Sequence, residues 1–303
     1  MPTVIMNVGL SGCGKTSGAH IYNEALGKPH NWKILSSDDF RAVLLGDVND
    51  QSQNGYIFQQ LYKVAKGLLR KGDNVIIDAT NLSRKRRMAF IREFRSIPDI
   101  RFQCDCYLTP LEVCIANQQL RERKVPAEVI IKQAKLFQLP IEAEGWDDVN
   151  FRHSFPNCLN DIRHYMQYTY EFEQKNPHHK LDLYTHMSCA ADYFDEYESA
   201  PDEVPVAAFY HDIGKPWCQE IGEDGVAHYN GHHNLGCYLF LTAKDNICKS
   251  WRQHLYIASL IEHHMDAFFI KDESGWDKLR TLYGDQFIKD LELLHEADLI
   301  AKG

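Results

Sequence analysis

Two separated groups of residues carry types and spacings suited to phosphate chemistry. The first is GLSGCGKT, residues 9–16, which fits the pattern G-x-x-x-x-G-K-[ST] between an apolar run and a helix-forming one. Glycines in such a loop let backbone N–H groups turn inward on phosphates, so Gly9, Ser11, Gly12, Cys13 and Gly14 form the expected cradle. Lys15 then reaches the β and γ phosphates of ATP, and Thr16 holds Mg²⁺. The second group centres on AAFYHDIGKPWC, residues 207–218, where His211 stands beside Asp212 in an apolar run. His186 in LYTHMSCAA, His232 in YNGHHNLG, His264 in IEHHMDAF and Asp298 in HEADLIAKG can join that pair. Imidazole and carboxylate together suit Mn, Fe, Co, Ni or Zn, and the donor types alone do not choose among them.

Three further segments bear on the first group. SSDDFR, residues 36–41, follows the second apolar run and puts Asp38 and Arg41 three apart, on one face of a helix that begins there. A carboxylate so placed can take a hydroxyl proton, and the arginine can hold an anionic part of the same acceptor. The bland alternative is that Ser37, Asp38 and Asp39 only cap a helix. Asp78 ends the strand-like run VIID, a place for a carboxylate near Mg²⁺. The run Arg84 to Arg87 that follows reads as solvated helix surface. Arg121 and Arg123, in LRERKVP, read as a lid able to neutralise a transferred phosphoryl group, with the choice between them open.

Behind these residues the chain changes character. From residue 3 to about 150, short β-branched runs (TVIMNVG, KILSS, NVIID, RFQCDCYL) alternate with amphipathic stretches. That alternation predicts a parallel sheet with helices on both faces. After Pro140 strand signals nearly vanish and helical periodicity takes over, predicting an all-α second domain that places His211 and Asp212 in a helix. The expected division is 1–152 and 158–303.

Charge divides the same way. Residues 1–150 hold 20 Lys and Arg against 17 Asp and Glu, a net +3, whereas the remainder holds 13 against 25, a net −12. Thirteen of the 15 histidines lie in that acidic part. The first half therefore suits anions and the second buried cations. Nine cysteines lack the paired spacings of a disulfide framework and are expected as reduced, mostly buried thiols, with Cys104 and Cys106 on opposite faces of a strand. No apolar stretch approaches the ~18 residues of a membrane span. The expectation is a cytosolic protein without membrane partners.

The combination of GLSGCGKT, DDFR, VIIDATNLSRKRR, the arginine segment before VP, and KLFQLP followed by EGWDD resembles the phage-type 5′-hydroxyl polynucleotide kinases, a group of P-loop kinases, over most of residues 1–150. The resemblance implies Asp38 as general base and Arg41 as the contact to the acceptor strand. The order H, HD, H, H, D over roughly residues 160–303 resembles the HD phosphohydrolase superfamily. It implies His186, His211, Asp212 and Asp298 as core ligands, His232 and His264 as ligands of a second metal, and Lys215 as a phosphate contact. Together the resemblances imply a two-domain chain, an α/β P-loop kinase followed by an all-α HD domain. Its expected work is healing of broken ends, RNA rather than DNA, before an RNA ligase. The kinase would phosphorylate a 5′-hydroxyl, and the HD domain would remove a 3′-phosphate or 2′,3′-cyclic phosphate. Alternatives are a nucleoside or nucleotide kinase joined to a nucleotidase, and a kinase regulated by a nucleotide-binding HD domain.

Overall fold

The apolar runs of the first half form parallel strands. In the computed structural model, which describes residues 1–25, 32–155, 158–177, 180–197, 200–243 and 247–302, these are β1 (Thr3–Val8), β2 (Trp32–Ser36), β3 (Asn74–Asp78), β4 (Arg101–Tyr107) and β5 (Asp148–Arg152). They make one five-stranded sheet in the order β2-β3-β1-β4-β5, with every pairing parallel. Val4, Ile5 and Met6 pair with Val75, Ile76 and Ile77, and all six are buried. Such unbroken apolar runs are what a sheet covered on both faces requires. Helices α1 (Lys15–Ala25), α2 (Ser37–Leu45), α3 (Asn54–Arg70), α4 (Arg84–Phe94) and α5 (Leu111–Gln119) connect the strands. Strand β5 carried no apolar signal, since DVNFR is half-buried throughout and lies at the sheet's edge.

Register fixes where the chemistry sits. Ser36 at the end of β2 lies opposite Asp78 at the end of β3, and β3 adjoins β1, which runs into the glycine loop. The carboxyl ends of three neighbouring strands thus deliver the loop, the Asp38 segment and Asp78 to one edge, where open α/β sheets bind ligands.

Two expectations are corrected here. Arg84 and Arg87 are not solvated surface: both are buried, and Arg87 is 0 % exposed. The Glu144 carboxylate accepts from Arg87 Nε at 2.8 Å and Nη2 at 2.6 Å, and from the Trp146 indole at 3.0 Å. Arg87 Nη1 also donates to the carbonyls of Asn81 and Leu82, which ties down the turn after β3. The partner that makes this burial possible lies 57 residues away, so the basic run gave no sign of it. Cys104 and Cys106 are two residues apart on one strand and therefore share a face. Burial pushes both thiols up in pKa, and all nine cysteines are free.

Contacts divide the chain into two units, the first comprising residues 1–109, 113–125 and 140–156, the second residues 110–112, 126–139 and 157–303. The second unit is helical: α6 (Ala127–Ala134), α7 (Arg163–Met166), α8 (Leu183–Asp192), α9 (Glu203–Tyr210), α10 (His232–Thr242), α11 (Trp251–His263), α12 (Asp266–Phe269), α13 (Glu273–Tyr283) and α14 (Asp285–Ile300). Helices α8, α9, α11 and α14 pack together, and α10 lies on α11. Leu183, Met187, Val204, Ala208, Ile261, Leu291 and Leu294 fill the bundle at helical spacing. The unit also carries an antiparallel ladder of β6 (Glu220–Ile221) and β7 (Ala227–His228). No helix among the described residues is long and apolar enough to cross a membrane.

Removing one partner of a buried ion pair strands the other charge, at a cost of about 3–5 kcal/mol. Glu144→Ala, which leaves the Arg87 guanidinium unneutralised, should lower the stability of the first unit by that amount. Chemical denaturation followed by the fluorescence of Trp146 measures it, and an unchanged midpoint would contradict the assigned network.

Candidate functional site

The glycine loop is built around backbone that only glycine accommodates. Gly12 and Gly14 have φ of 86° and 94°, and a Cβ on Gly12 would meet the Cys114 carbonyl oxygen at 2.3 Å. Thr109 Oγ1 donates to the Cys13 carbonyl at 3.0 Å and Asn117 Nδ2 to the Gly12 carbonyl at 2.9 Å, so α5 and its approach brace the loop from outside. Lys15 is buried and its ammonium donates to the carbonyls of Gly9 at 2.9 Å and Leu10 at 2.6 Å. Thr16 Oγ1 donates to Asp78 Oδ2 at 2.7 Å, while Asp78 Oδ1 is buried with no hydrogen-bond donor. A hydroxyl and a carboxylate oxygen lacking a donor, side by side at the loop, form an oxygen set that fits Mg²⁺.

The cap of α2 is Ser36, whose hydroxyl accepts from the N–H groups of Asp38 at 3.2 Å and Asp39 at 3.4 Å. Capping therefore needs none of Ser37, Asp38 or Asp39, and the Asp38 carboxylate is left for other work. Its Oδ1 accepts from Arg41 Nη1 at 2.8 Å and its Oδ2 from Arg123 Nη1 at 2.7 Å. Arg123 is steadied by Asn49 Oδ1 at 2.8 Å and the Val48 carbonyl. Arg121 is exposed, and of the two lid arginines Arg123 is the one that reaches Asp38.

The second group assembles in the helical unit. His186 lies within α8, His232 opens α10, His264 follows α11 and Asp298 lies near the end of α14. His211 and Asp212 follow the last residue of α9 rather than lying inside a helix, because Gly214 and Pro216 break the chain into a tight turn there. All six side chains are buried.

Each imidazole is oriented by a backbone carbonyl. Nδ1 of His211 lies 2.7 Å from the Ala208 carbonyl, Nδ1 of His232 2.7 Å from Tyr229, Nδ1 of His264 2.8 Å from Ile261 and Nδ1 of His186 3.1 Å from Ala301. A carbonyl can only accept, so each Nδ1 carries the proton and each Nε2 presents a lone pair. Those lone pairs converge: His186 Nε2 is 3.2 Å from His211 Nε2, and His232 Nε2 is 3.1 Å from His264 Nε2.

Asp212 joins the two pairs. Its Oδ2 lies 3.1 Å from His211 Nε2 and 3.4 Å from His186 Nε2, while its Oδ1 lies 3.1 Å from His232 Nε2 and 3.6 Å from His264 Nε2. The result is two ligand groups sharing one carboxylate, His186 with His211 and Asp212, and Asp212 with His232 and His264. Asp298 Oδ1, without a hydrogen-bond donor, lies beside the first, 3.2 Å from His186 Nε2 and 3.7 Å from His211 Nε2. Opposed lone pairs and carboxylate oxygens in a buried pocket repel unless a cation lies between them, so these residues fit divalent metal.

Burial alone would lower the pKa of His211, but Asp212 and Asp298 outweigh it and push it up to about 10. His264 goes the other way, to about 4, chiefly through burial. Burial would raise the Asp212 carboxyl, yet His211 and Lys215 hold it well below the usual range.

Neighbouring histidines are turned elsewhere. His263 meets Asp266 at 2.6 Å and the Tyr283 hydroxyl at 3.0 Å, and His233 is outside both ligand groups. Lys215 is buried, 2.6 Å from Asp212 Oδ2 and 2.8 Å from Gln174 Oε1. Gln174 went unread in the sequence because a lone glutamine 41 residues before the lysine it steadies has no pattern to announce it.

Comparison with known families assigns residues 4–140 to the AAA domain and residues 178–303 to the HD domain. No curated protein matches the chain. Among solved structures, a Pnkp1/Rnl/Hen1 complex shares 28% identity over 39% of this chain and 39% of its own, with a TM-score of 0.33. A Pnkp1/Rnl/Hen1 RNA repair complex shares 24% over 45% of this chain and 44% of its own, with a TM-score of 0.38. The APS kinase CysC of Mycobacterium tuberculosis, in complex with AMPPNP and APS, shares 21% over 50% of this chain and 88% of its own, with a TM-score of 0.36. The chain spans about two-fifths of the length of the first two.

Because the two oxygens of Asp212 serve different ligand groups, Asp212→Ala should abolish metal retention at both, whereas His264→Ala should remove only one ion from a two-metal site. Elemental analysis after dialysis reads the stoichiometry. Full metal content in Asp212→Ala would contradict the shared-carboxylate geometry.

Proposed function

We propose, from the premise that this chain joins an AAA-type P-loop kinase domain to an HD domain, that it is an end-healing enzyme with two opposed phosphate reactions. The P-loop unit transfers the γ-phosphoryl group of ATP to a 5′-hydroxyl of nucleic acid. The HD unit hydrolyses a 3′-phosphate or 2′,3′-cyclic phosphate. The observation that carries the first half is Asp38, spared from capping by Ser36 and placed beside Arg41 and Arg123.

On this reading Asp38 accepts the proton of the attacking hydroxyl. Arg41 holds the phosphate next to that hydroxyl, and Arg123 moves from Asp38 to the transferred phosphoryl group as its charge spreads. Lys15 leaves the Gly9 and Leu10 carbonyls for the β and γ oxygens when nucleotide enters the loop. Thr16 and Asp78 would hold Mg²⁺, which would supply charge neutralisation to those phosphates.

In the HD unit the six ligands would hold divalent ions, whose chemistry there would be Lewis-acid polarisation of a phosphoryl oxygen. The chain's part is to fix the ligands: backbone carbonyls hold every Nε2 inward, and Asp212 keeps the two groups in register. Lys215, which pairs with Asp212, would meet a substrate phosphate. RNA ends, sealed afterwards by an RNA ligase, are the substrates this pairing of reactions suits best. The net −12 of residues 151–303 opposes a long polyanion, so contact there is limited to the terminal nucleotide. That same charge favours a second reading, a nucleoside or nucleotide kinase joined to a nucleotidase.

Asp38→Asn should lower phosphorylation of a 5′-hydroxyl oligonucleotide by roughly 10²–10⁴-fold while leaving phosphate hydrolysis intact. Asp212→Ala should do the reverse. Labelled ATP offered in parallel to a 5′-hydroxyl RNA, a 5′-hydroxyl DNA and a nucleoside 3′-phosphate separates polymer from small-molecule acceptors, and label in the nucleoside alone would select the second reading.

A further inference from the structure

Arg41 is held by more than the aspartate beside it. The side chain is buried against α2 and α3, 7% exposed, and its guanidinium is gripped at both ends. Nη1 donates to Asp38 Oδ1 at 2.8 Å, with Ser37 Oγ at 3.4 Å. Nη2 donates to Asn54 Oδ1 at 2.7 Å, from the first turn of α3. Nε is buried and has no acceptor. A guanidinium has five donors in one rigid plane, so fixing both terminal nitrogens fixes the direction of the rest. A buried N–H without an acceptor costs free energy that an incoming anion recovers.

Asn54 suits this task chemically. Its amide must present oxygen to Arg41, because the NH₂ end would set donor against donor. Being neutral, it orients the guanidinium without cancelling its charge, whereas Asp38 pairs with Arg41 through a carboxylate. Gln53, one residue earlier, makes no side-chain cap on α3.

We infer that Asn54 is a positioning residue for the acceptor half of the kinase reaction. Through Arg41 it sets both the clamp on the acceptor's phosphate and the orientation of Asp38. The inference rests on the reading that Asp38 and Arg41 serve a 5′-hydroxyl acceptor. Its consequence is selectivity: an acceptor carrying a phosphate next to the reacting nucleoside gains from an aligned Arg41, and a bare nucleoside does not.

The test uses the full chain with Mg²⁺ and ATP, carrying Asp212→Ala throughout so that the HD unit spares the acceptor's 3′-phosphate, and compares a nucleoside 3′-phosphate with the corresponding nucleoside. In Asn54→Ala the KM for the nucleoside 3′-phosphate should rise about tenfold, the loss expected for one charge-assisted hydrogen bond. The KM for ATP should stay within about twofold, and the preference for the phosphorylated acceptor should shrink by about the same tenfold factor. Asn54→Gln, which keeps a neutral accepting amide oxygen, should retain more of that preference than Asn54→Ala. An active Asn54→Ala with unaltered preference, or an equal fall for both acceptors, would overturn the assignment while leaving the kinase reading in place. A wild-type chain that phosphorylates neither these acceptors nor a 5′-hydroxyl RNA overturns the reading, and the assignment with it.

Discussion

An imidazole has two nitrogens, and the hydrogen bond made by one decides what the other can do. In the helical unit four histidines spend Nδ1 on backbone carbonyls, three of them on the residue three positions earlier. Ala208 and Ile261 lie in the last turns of α9 and α11, where carbonyls run out of intrahelical donors. The helix ends thus gain donors for their orphan carbonyls, and the same bonds turn four lone pairs inward. Everything else about the site depends on that constraint: the convergence of the ligands, the need for a cation, and the place of Asp212 between the two pairs.

The P-loop unit works by a related economy. Ser36 takes over the capping of α2, which leaves Asp38 unengaged by backbone. Arg41 and Arg123 then divide its oxygens between them. On the proposed reading a base held by two arginines is at rest, since both would be needed elsewhere once a triphosphate and an acceptor are bound. One unit stores its carboxylate among cations, and the other stores its cation site around a carboxylate. In both, the charges that the proposed reactions would bring to phosphate are already paired.

Much of this was legible in the sequence, for physical reasons. GLSGCGKT is local, and its spacing alone demands a strand before it and a helix after it. The five histidine and aspartate segments could be read because each sits in an apolar helical run, where a polar residue must find a partner. The choice of His264 over His263 could only be guessed from register; the structure gives His263 to Asp266 and Tyr283. What stayed hidden depended on distant partners. Arg84 and Arg87 looked like solvated surface because Glu144 and Trp146 lie far along the chain. Strand β5 was missed because an edge strand needs no apolar run. The placement of His211 and Asp212 after α9, rather than within it, follows from Gly214 and Pro216, which the sequence displayed but helical periodicity outweighed.

The central claim is that one chain adds phosphate at one kind of end and removes it at another. A single RNA strand bearing a 5′-hydroxyl and a 2′,3′-cyclic phosphate, incubated with the full chain, ATP, Mg²⁺ and Mn²⁺ or Ni²⁺, tests it directly by mass spectrometry of the intact product. The account predicts a strand with a 5′-phosphate and a 3′ end stripped of its cyclic phosphate. A strand recovered with both ends unchanged would contradict it.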